Sequence, residues 1–327
     1  MSDLEMAAEV ICCGETMVLL TPADARFLGQ AELLRLTIAG AESTVAQYLS
    51  NLGHQCAWVS RVGHDPFGQR IVSALAAQGV DTSLVRYDMN APTAVFFKDP
   101  APDGSRVYYY RKGSAAAAMS AADVAAVPLA GARLLHLSGI TPALSPACAA
   151  TVDLLFDLAR QAGVLVSFDV NYRPGLWPAG QAGPVLRGLA NRADIVLVGR
   201  DEAETLWDVS TAAETRELLD SCPVVIVKDS DVGATEFNGE SVTFEPALKV
   251  DVIEPVGAGD AFAGGYLSGL LKGMTSAQRL RLGHRLAARA LRSLDDYVPV
   301  TPDELDVLLT GAVTDEWQQK GRAAGSA

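Results

Sequence analysis

The sequence predicts an α/β chain, a doubly wound and mostly parallel central sheet flanked by helices, with a small β-hairpin lid. Short apolar runs alternate with segments of helical period along most of the chain, which is the pattern of a parallel sheet. Between Thr93 and Lys112 the pattern changes to two β-rich stretches, TAVFFK and RVYYYRK, separated by DPAPDGS, and these read as an antiparallel hairpin. No internal repeat and no Pro/Ser-rich linker divides the 327 residues. One domain is therefore expected over residues 1–315, its lid formed around 15–40 and 90–115, with a disordered tail at 316–327.

The elements follow in order. Residues 9–13 (EVICC) form an apolar run ending at Gly14, as a buried first strand leading into a turn would. From 41 to 52 the residues Val45, Leu49 and Leu52 recur at helical spacing, and Gly53 stops the pattern. Residues 56–62 are strand-like again, and Pro66 opens a helix that runs through Ala77 to Gly79. Residues 134–137, 164–169, 195–198 and 224–227 are further strand candidates, separated by helical patterns such as 146–162. A second hairpin is predicted over 235–244 around Asn238-Gly239, and helices over 257–271, 276–294 and 302–309.

Composition narrows the function. A formal net charge of -13 leaves no basic surface for nucleic acid or an anionic membrane. A negatively charged substrate would have to be held by a local cluster of Arg, Lys or main-chain amides. The five cysteines include no C-x-x-C pair and read as buried reduced thiols. The acidic start MSDLEMAAEV lacks a basic segment followed by an apolar core, and no uncharged apolar run is long enough to span a bilayer. A cytoplasmic protein is expected. His54, His64, His136 and His284 show no metal-ligand spacing, and Trp58, Trp177 and Trp207 stand among apolar neighbours as packing residues.

The most informative segment is EPVGAGDAFAGGYLSGLL, beginning at Glu254. Gly257, Ala258 and Gly259 stand just before an amphipathic helix, where small residues let the chain turn and aim free amides at an anion. The helix start adds about half a positive charge, so the turn is suited to a transferring phosphoryl group. Asp260 sits directly on this site, where a base that takes a proton from an attacking hydroxyl belongs. Local physics equally allows a plain turn with Asp260 as a helix cap.

GAGDAFAGGYLSGLL resembles the second signature of the ribokinase-like (PfkB) sugar kinases, and AGAESTVAQYLSNLG with VSRVGHDPFGQRIVSALAAQGV resembles the first; the similarity runs from Cys13 to about Leu309. It implies a ribokinase-like fold, ATP as co-substrate with Mg²⁺, Gly257, Ala258 and Gly259 as the anion hole and Asp260 as general base. It also implies that Lys228 and Gly233, in VIVKDSDVGATEF, line the nucleotide. Glu202, in VGRDEAE, takes the acidic position of an Asn-x-x-Glu motif that arranges Mg²⁺ and phosphates through water, with Gly199 in place of the Asn. Glu254-Pro255 replaces an Asp-Thr pair linked in the family to monovalent-cation activation, so dependence on potassium is left open.

On the substrate side, strand alternation sends Tyr109 and Arg111 to one face, and an Arg fork matches a carboxylate. SFDVNYRPGLW places Asp169, Asn171 and Arg173 just beyond a strand end, the edge at which parallel sheets bind ligands. Arg111 pairing with an acid on a lid strand, and Arg173 stabilising a turn, are the plainer alternatives. Both segments resemble the Tyr-Tyr-Arg-x-Gly-Ser-Ala and Asp-x-Asn-x-Arg-x-x-Leu-Trp motifs of 2-keto-3-deoxygluconate kinases, which implies that Tyr109, Arg111 and Arg173 contact a sugar acid. Gly40 corresponds to a glycine that admits substrate close to the backbone, although Ala39-Gly40 and Thr44 stand where the family has Gly-Gly and Asn.

The expectation is thus ATP-dependent phosphorylation of 2-keto-3-deoxygluconate to its 6-phosphate. A fructokinase or other neutral-sugar kinase is the alternative within the class, and a catalytically silent sugar- or nucleotide-binding regulator the alternative outside it. The resemblance also implies a homodimer or higher homo-oligomer formed through the lid.

Overall fold

The computed structural model describes residues 8–24, 26–101, 104–301, 304–305 and 308. Its strands are β1 (Val10–Cys13), β2 (Met17–Pro22), β3 (Leu34–Ala39), β4 (Cys56–Gly63), β5 (Val85–Asp88), β6 (Val95–Ala101), β7 (Gly104–Tyr110), β8 (Leu134–Ser138), β9 (Leu165–Asp169), β10 (Ile195–Gly199), β11 (Val224–Asp229), β12 (Gly233–Asn238) and β13 (Ser241–Pro246). The helices are α1 (Ala41–Asn51), α2 (Pro66–Ala77), α3 (Ala121–Val124), α4 (Ile140–Leu144), α5 (Pro146–Ala162), α6 (Ala179–Ala190), α7 (Arg200–Trp207), α8 (Ala212–Leu218), α9 (Ala258–Leu271) and α10 (Ser276–Leu291).

A nine-stranded sheet has the order β13-β12-β11-β10-β9-β8-β1-β4-β5. It is parallel from β11 to β5, and β12 and β13 add an antiparallel hairpin at one edge. The central strands β1, β8, β9 and β10 are buried at nearly every position because both faces are covered. Ile11, Cys13, Leu135, Leu137, Val196 and Val198 enter one core, and Val10, Cys12, Leu134, Ile195 and Leu197 enter the other, packed against α9 residues such as Phe262 and Tyr266. The two-residue period of the strands thus divides one continuous apolar run between two layers. All five cysteines are buried and unpaired.

Local chemistry accounts for the helix ends. Asp65 accepts the Gly68 N–H at 2.8 Å, with Pro66 at the first turn of α2, and Ser145 accepts the Cys148 N–H at 3.1 Å ahead of Pro146 in α5. The helix expected over 276–294 stops at Leu291, because the Ile253 and Glu254 N–H groups donate to the Leu291 carbonyl and draw the chain away. The helix expected over 302–309 and the tail at 316–327 fall wholly or largely outside the described residues.

The hairpin of β6 and β7 joins β2 and β3 in a second sheet of four strands, ordered β3-β2-β6-β7. Its strands run on through Asp99, Pro100 and Ala101, which the sequence reading assigned to the turn. Proline is tolerated at position 100 because β2 pairs with β6 only at residues 95–97. Val18, Leu20, Leu34, Leu36, Ile38, Val95 and Phe97 on one face of this sheet pack on the main core, whereas Leu19, Phe96 and Val107 on the other form a cluster of their own. Among the described residues, no helix is long and apolar enough to cross a membrane.

Candidate active site

The carboxyl ends of β9, β10 and β11 converge on the amino end of α9. Gly257 turns the chain there with φ +89°, a left-handed conformation that favours glycine. It is also crowded from behind, since a Cβ on it would lie 2.7 Å from the Asp296 carbonyl oxygen. Among the described residues the N–H groups of Gly257, Gly259 and Asp260 have no acceptor, whereas that of Ala258, expected in the anion hole, donates to the Pro255 carbonyl at 3.4 Å, so the turn presents unpaired donors that include Asp260 in place of Ala258.

Asp260 follows in the first turn of α9. Its carboxylate accepts no hydrogen bond from any described residue, and α9 has no side-chain cap, so the capping alternative has no bond to rest on. The side chain stays partly accessible while protein crowds it. Burial, and then the neighbouring charge of Asp169, push it up to about 7 against the pull of Arg173 and Lys228.

Two carboxylates and a lysine complete this end of the site. Lys228 Nζ lies 3.0 Å from Asp169 Oδ2, and a Cβ on Gly259 would stand 3.7 Å from the same ammonium. Burial favours the neutral amine, but Asp169, Glu202 and Asp260 outweigh it and hold Lys228 above the usual lysine range. Glu202 is tied to main-chain N–H groups, Gly199 at 2.7 Å and Tyr172 at 2.8 Å. Burial raises it, opposed by Lys228 and reinforced by Asp169. Asn171, with φ 39°, folds its N–H back to Asp169 Oδ1 at 3.3 Å. That bend sends Arg173 to an exposed position, where its guanidinium donates to the Tyr172 carbonyl at 3.1 Å.

The lid end is built differently. Tyr109 is 47% exposed and stacks on Phe96 with centroids 5.5 Å apart, and the Arg111 guanidinium lies 5.5 Å from the Tyr109 centroid. Arg111 also forms an ion pair with buried Glu15, which receives a hydrogen bond of 2.8 Å from Ser114 Oγ. A lid arginine paired with an acid is thus what is found, although that acid lies between β1 and β2. Behind it, Glu42 is fully buried and accepts Ser138 Oγ at 2.7 Å and Thr141 Oγ1 at 2.9 Å, its second oxygen unpartnered among the described residues. Burial raises Glu42 in spite of those bonds.

Two glycines on the expected list have reasons within the fold itself. A Cβ on Gly40 would come within 2.4 Å of the Glu15 carbonyl oxygen, and one on Gly233 within 2.4 Å of the Glu245 carbonyl oxygen. The close approach each permits is to its own chain. Glu15, Glu42, Lys98 and Asp296 escaped sequence reasoning. Glu15 was the most accessible of these, because it follows Gly14 just past the end of β1 and so stands on the ligand-binding edge.

Among the described residues no group of three or more His, Cys, Asp or Glu side chains is arranged to hold a metal. His136, which donates to or accepts from Ser167 at 3.2 Å, is pushed down to about 4 by burial and stands in the core.

The chain is similar to known proteins along most of its length. The pattern of the pfkB family carbohydrate kinases matches residues 7–302. The 2-dehydro-3-deoxygalactonokinase of Haloferax volcanii is 32% identical over 94% of this chain and 98% of its own. The 2-dehydro-3-deoxygluconokinase of Bacillus subtilis is 34% identical over 89% of this chain and 92% of its own. A crystal structure of a PfkB protein from Polaromonas sp. JS666 superposes with a TM-score of 0.81 at 36% identity, covering 88% of this chain and 97% of that one.

Proposed function

Because the chain belongs to the pfkB family of carbohydrate kinases, we propose that it transfers the γ-phosphoryl group of ATP to the 6-hydroxyl of a 2-keto-3-deoxy sugar acid, the gluco or galacto epimer, with Asp260 as general base. The observation that carries the reading is Asp260 itself, a carboxylate that accepts no hydrogen bond from any described residue and is raised to about 7, in the same turn as three main-chain N–H groups that have no acceptor among the described residues, its own included. A base whose pKa lies near working pH both accepts a proton readily and is largely available in its ionised form.

In the proposed step the substrate hydroxyl gives its proton to Asp260 as its oxygen attacks the γ-phosphorus, and the bond from phosphorus to the ADP oxygen breaks in line. The N–H groups of Gly257, Gly259 and Asp260 receive the negative charge on the transferring group, with the Lys228 ammonium beside Gly259 adding to the field. Lys228 and Gly233 border the nucleotide. Glu202 and Asp169 are hard oxygen donors of the kind Mg²⁺ accepts. Glu202 would hold the ion through water, and the ion would offset phosphate charge when bound. Tyr109, Arg111, Asp169, Asn171 and Arg173 border the sugar, the two arginines addressing its carboxylate.

One observation favours a second reading. The charge of Arg111 is already matched by Glu15, which suits the hydroxyls of fructose or another neutral ketose. ADP release measured with 2-keto-3-deoxygluconate, its galacto epimer, fructose and ribose separates the two. The highest kcat/KM is expected on a sugar acid, and a preference for fructose would replace the acid reading.

A further inference from the structure

Three lid strands reach across to the two segments that flank the amino end of α9. On the lid face that carries Phe96 and Tyr109, Arg35 of β3 pairs with Asp295. Lys98 of β6 sets its Nζ 2.7 Å from Asp296 Oδ1 and 3.9 Å from Glu254 Oε2. Ser105 of β7 donates to Glu254 Oε2 at 3.0 Å. These contacts differ in weight. The Arg35 and Asp295 side chains are 48% and 41% exposed, a solvated pair of small worth, whereas Lys98, Glu254 and Asp296 are 4%, 4% and 6% exposed.

Both acids held by Lys98 shape the anion turn. Glu254 accepts the Val256 N–H at 3.1 Å and so defines the approach to Gly257, and the Asp296 backbone is the wall against which Gly257 packs. With the ammonium absent, two buried carboxylates would share the site without a cation, an arrangement that is relieved only by protonation or by admitting water.

We propose that Lys98 is a positioning residue for phosphoryl transfer: seated with the lid, its ammonium group holds Glu254 and Asp296 and thereby sets the Gly257–Asp260 turn, so that lid docking and completion of the anion site are coupled. The catalytic consequence rests on the reading of α9 given above; the coupling between lid and turn does not.

Hydrogen exchange of the Lys98→Met protein tests the coupling without reference to activity. Amides of 95–101 and of 254–260 should both exchange faster, by about tenfold or more, while those of the central strands stay unchanged. Acceleration confined to the lid strands would overturn the proposal. In steady state the same variant should lose about tenfold or more in kcat with sugar KM within about twofold. Lys98→Met combined with Asp296→Asn, which leaves one carboxylate fewer to be neutralised, should recover part of both losses, and strictly additive effects would count against the shared ammonium. If Lys98→Met fails to fold, Asp296→Asn alone, in which Lys98 keeps Glu254, should speed exchange in both segments, and acceleration in only one of them would overturn the proposal. Should the unaltered protein phosphorylate no sugar, the kinase reading fails while the exchange result still decides the role of Lys98.

Discussion

The α9 end of the candidate site and the lid end solve charge recognition in opposite ways. At α9 the anion site is a single stretch, Gly257 to Asp260, whose donors are main-chain N–H groups that helix geometry leaves without an acceptor among the described residues. At the lid the charged groups come from distant parts of the chain, and each is already engaged: Arg111 with Glu15, Glu42 with Ser138 and Thr141, Lys98 with Asp296. A site of uncommitted backbone donors takes its donors from one local turn, whatever holds that turn in place. One made of matched side chains needs the whole fold, and its selectivity depends on how a ligand redistributes existing pairs.

The contrast is broken most severely by Asp260→Asn. Turnover should fall by about 10³-fold or more while ATP affinity, measured by calorimetry, stays within a few-fold; undiminished turnover would remove Asp260 as the base. Arg111→Ala probes the other end. It should lower kcat/KM on a sugar acid by about 10²-fold and on fructose by far less, and an equal loss on both would assign Arg111 to the support of Glu15.

Gly257→Ala sharpens the difference, since it strains the turn itself and presses it against the Asp296 backbone. A residue with a Cβ is strained at φ +89°, and its Cβ would stand 2.7 Å from the Asp296 carbonyl; a loss of about 1–3 kcal/mol in denaturant unfolding is expected, with turnover reduced as well.

The smallest effects concern pH. Since Asp260 lies at about 7, kcat/KM should rise with pH through that value and then level off, and Asp260→Asn should abolish the limb. Asp260 holds its proton more tightly folded than unfolded, so stability is lost as pH rises from the ordinary carboxylate range through about 7. Asn does not titrate, and the Tm gain of Asp260→Asn should therefore be larger at about pH 8 than at about pH 5.

Much of the fold was legible in the sequence because its signals are short-range. Pro66 and Ala77 bound α2, and Pro146 and Ala162 bound α5, as the helix-end chemistry indicated. The hairpin at Asn238-Gly239 is present, as is the parallel order implied by buried apolar runs. The end of α10 was misjudged by three residues, because the groups that capture Leu291 come from positions 253 and 254. Pro100 was read as turn because nothing local says that β2 leaves that part of β6 without a partner.

Short-range signals suffice for the doubly wound sheet and the Gly-Ala-Gly-Asp turn at the head of α9, since periodicity, capping and backbone freedom act over a few residues. Which charges meet is settled by the folded chain alone: Glu15 neutralises Arg111, Asp169 holds Lys228, and Lys98 lies between Glu254 and Asp296. Burial makes those pairings strong by removing water, and both burial and proximity between residues separated by as many as 198 positions in the chain arise only when the sheets have closed.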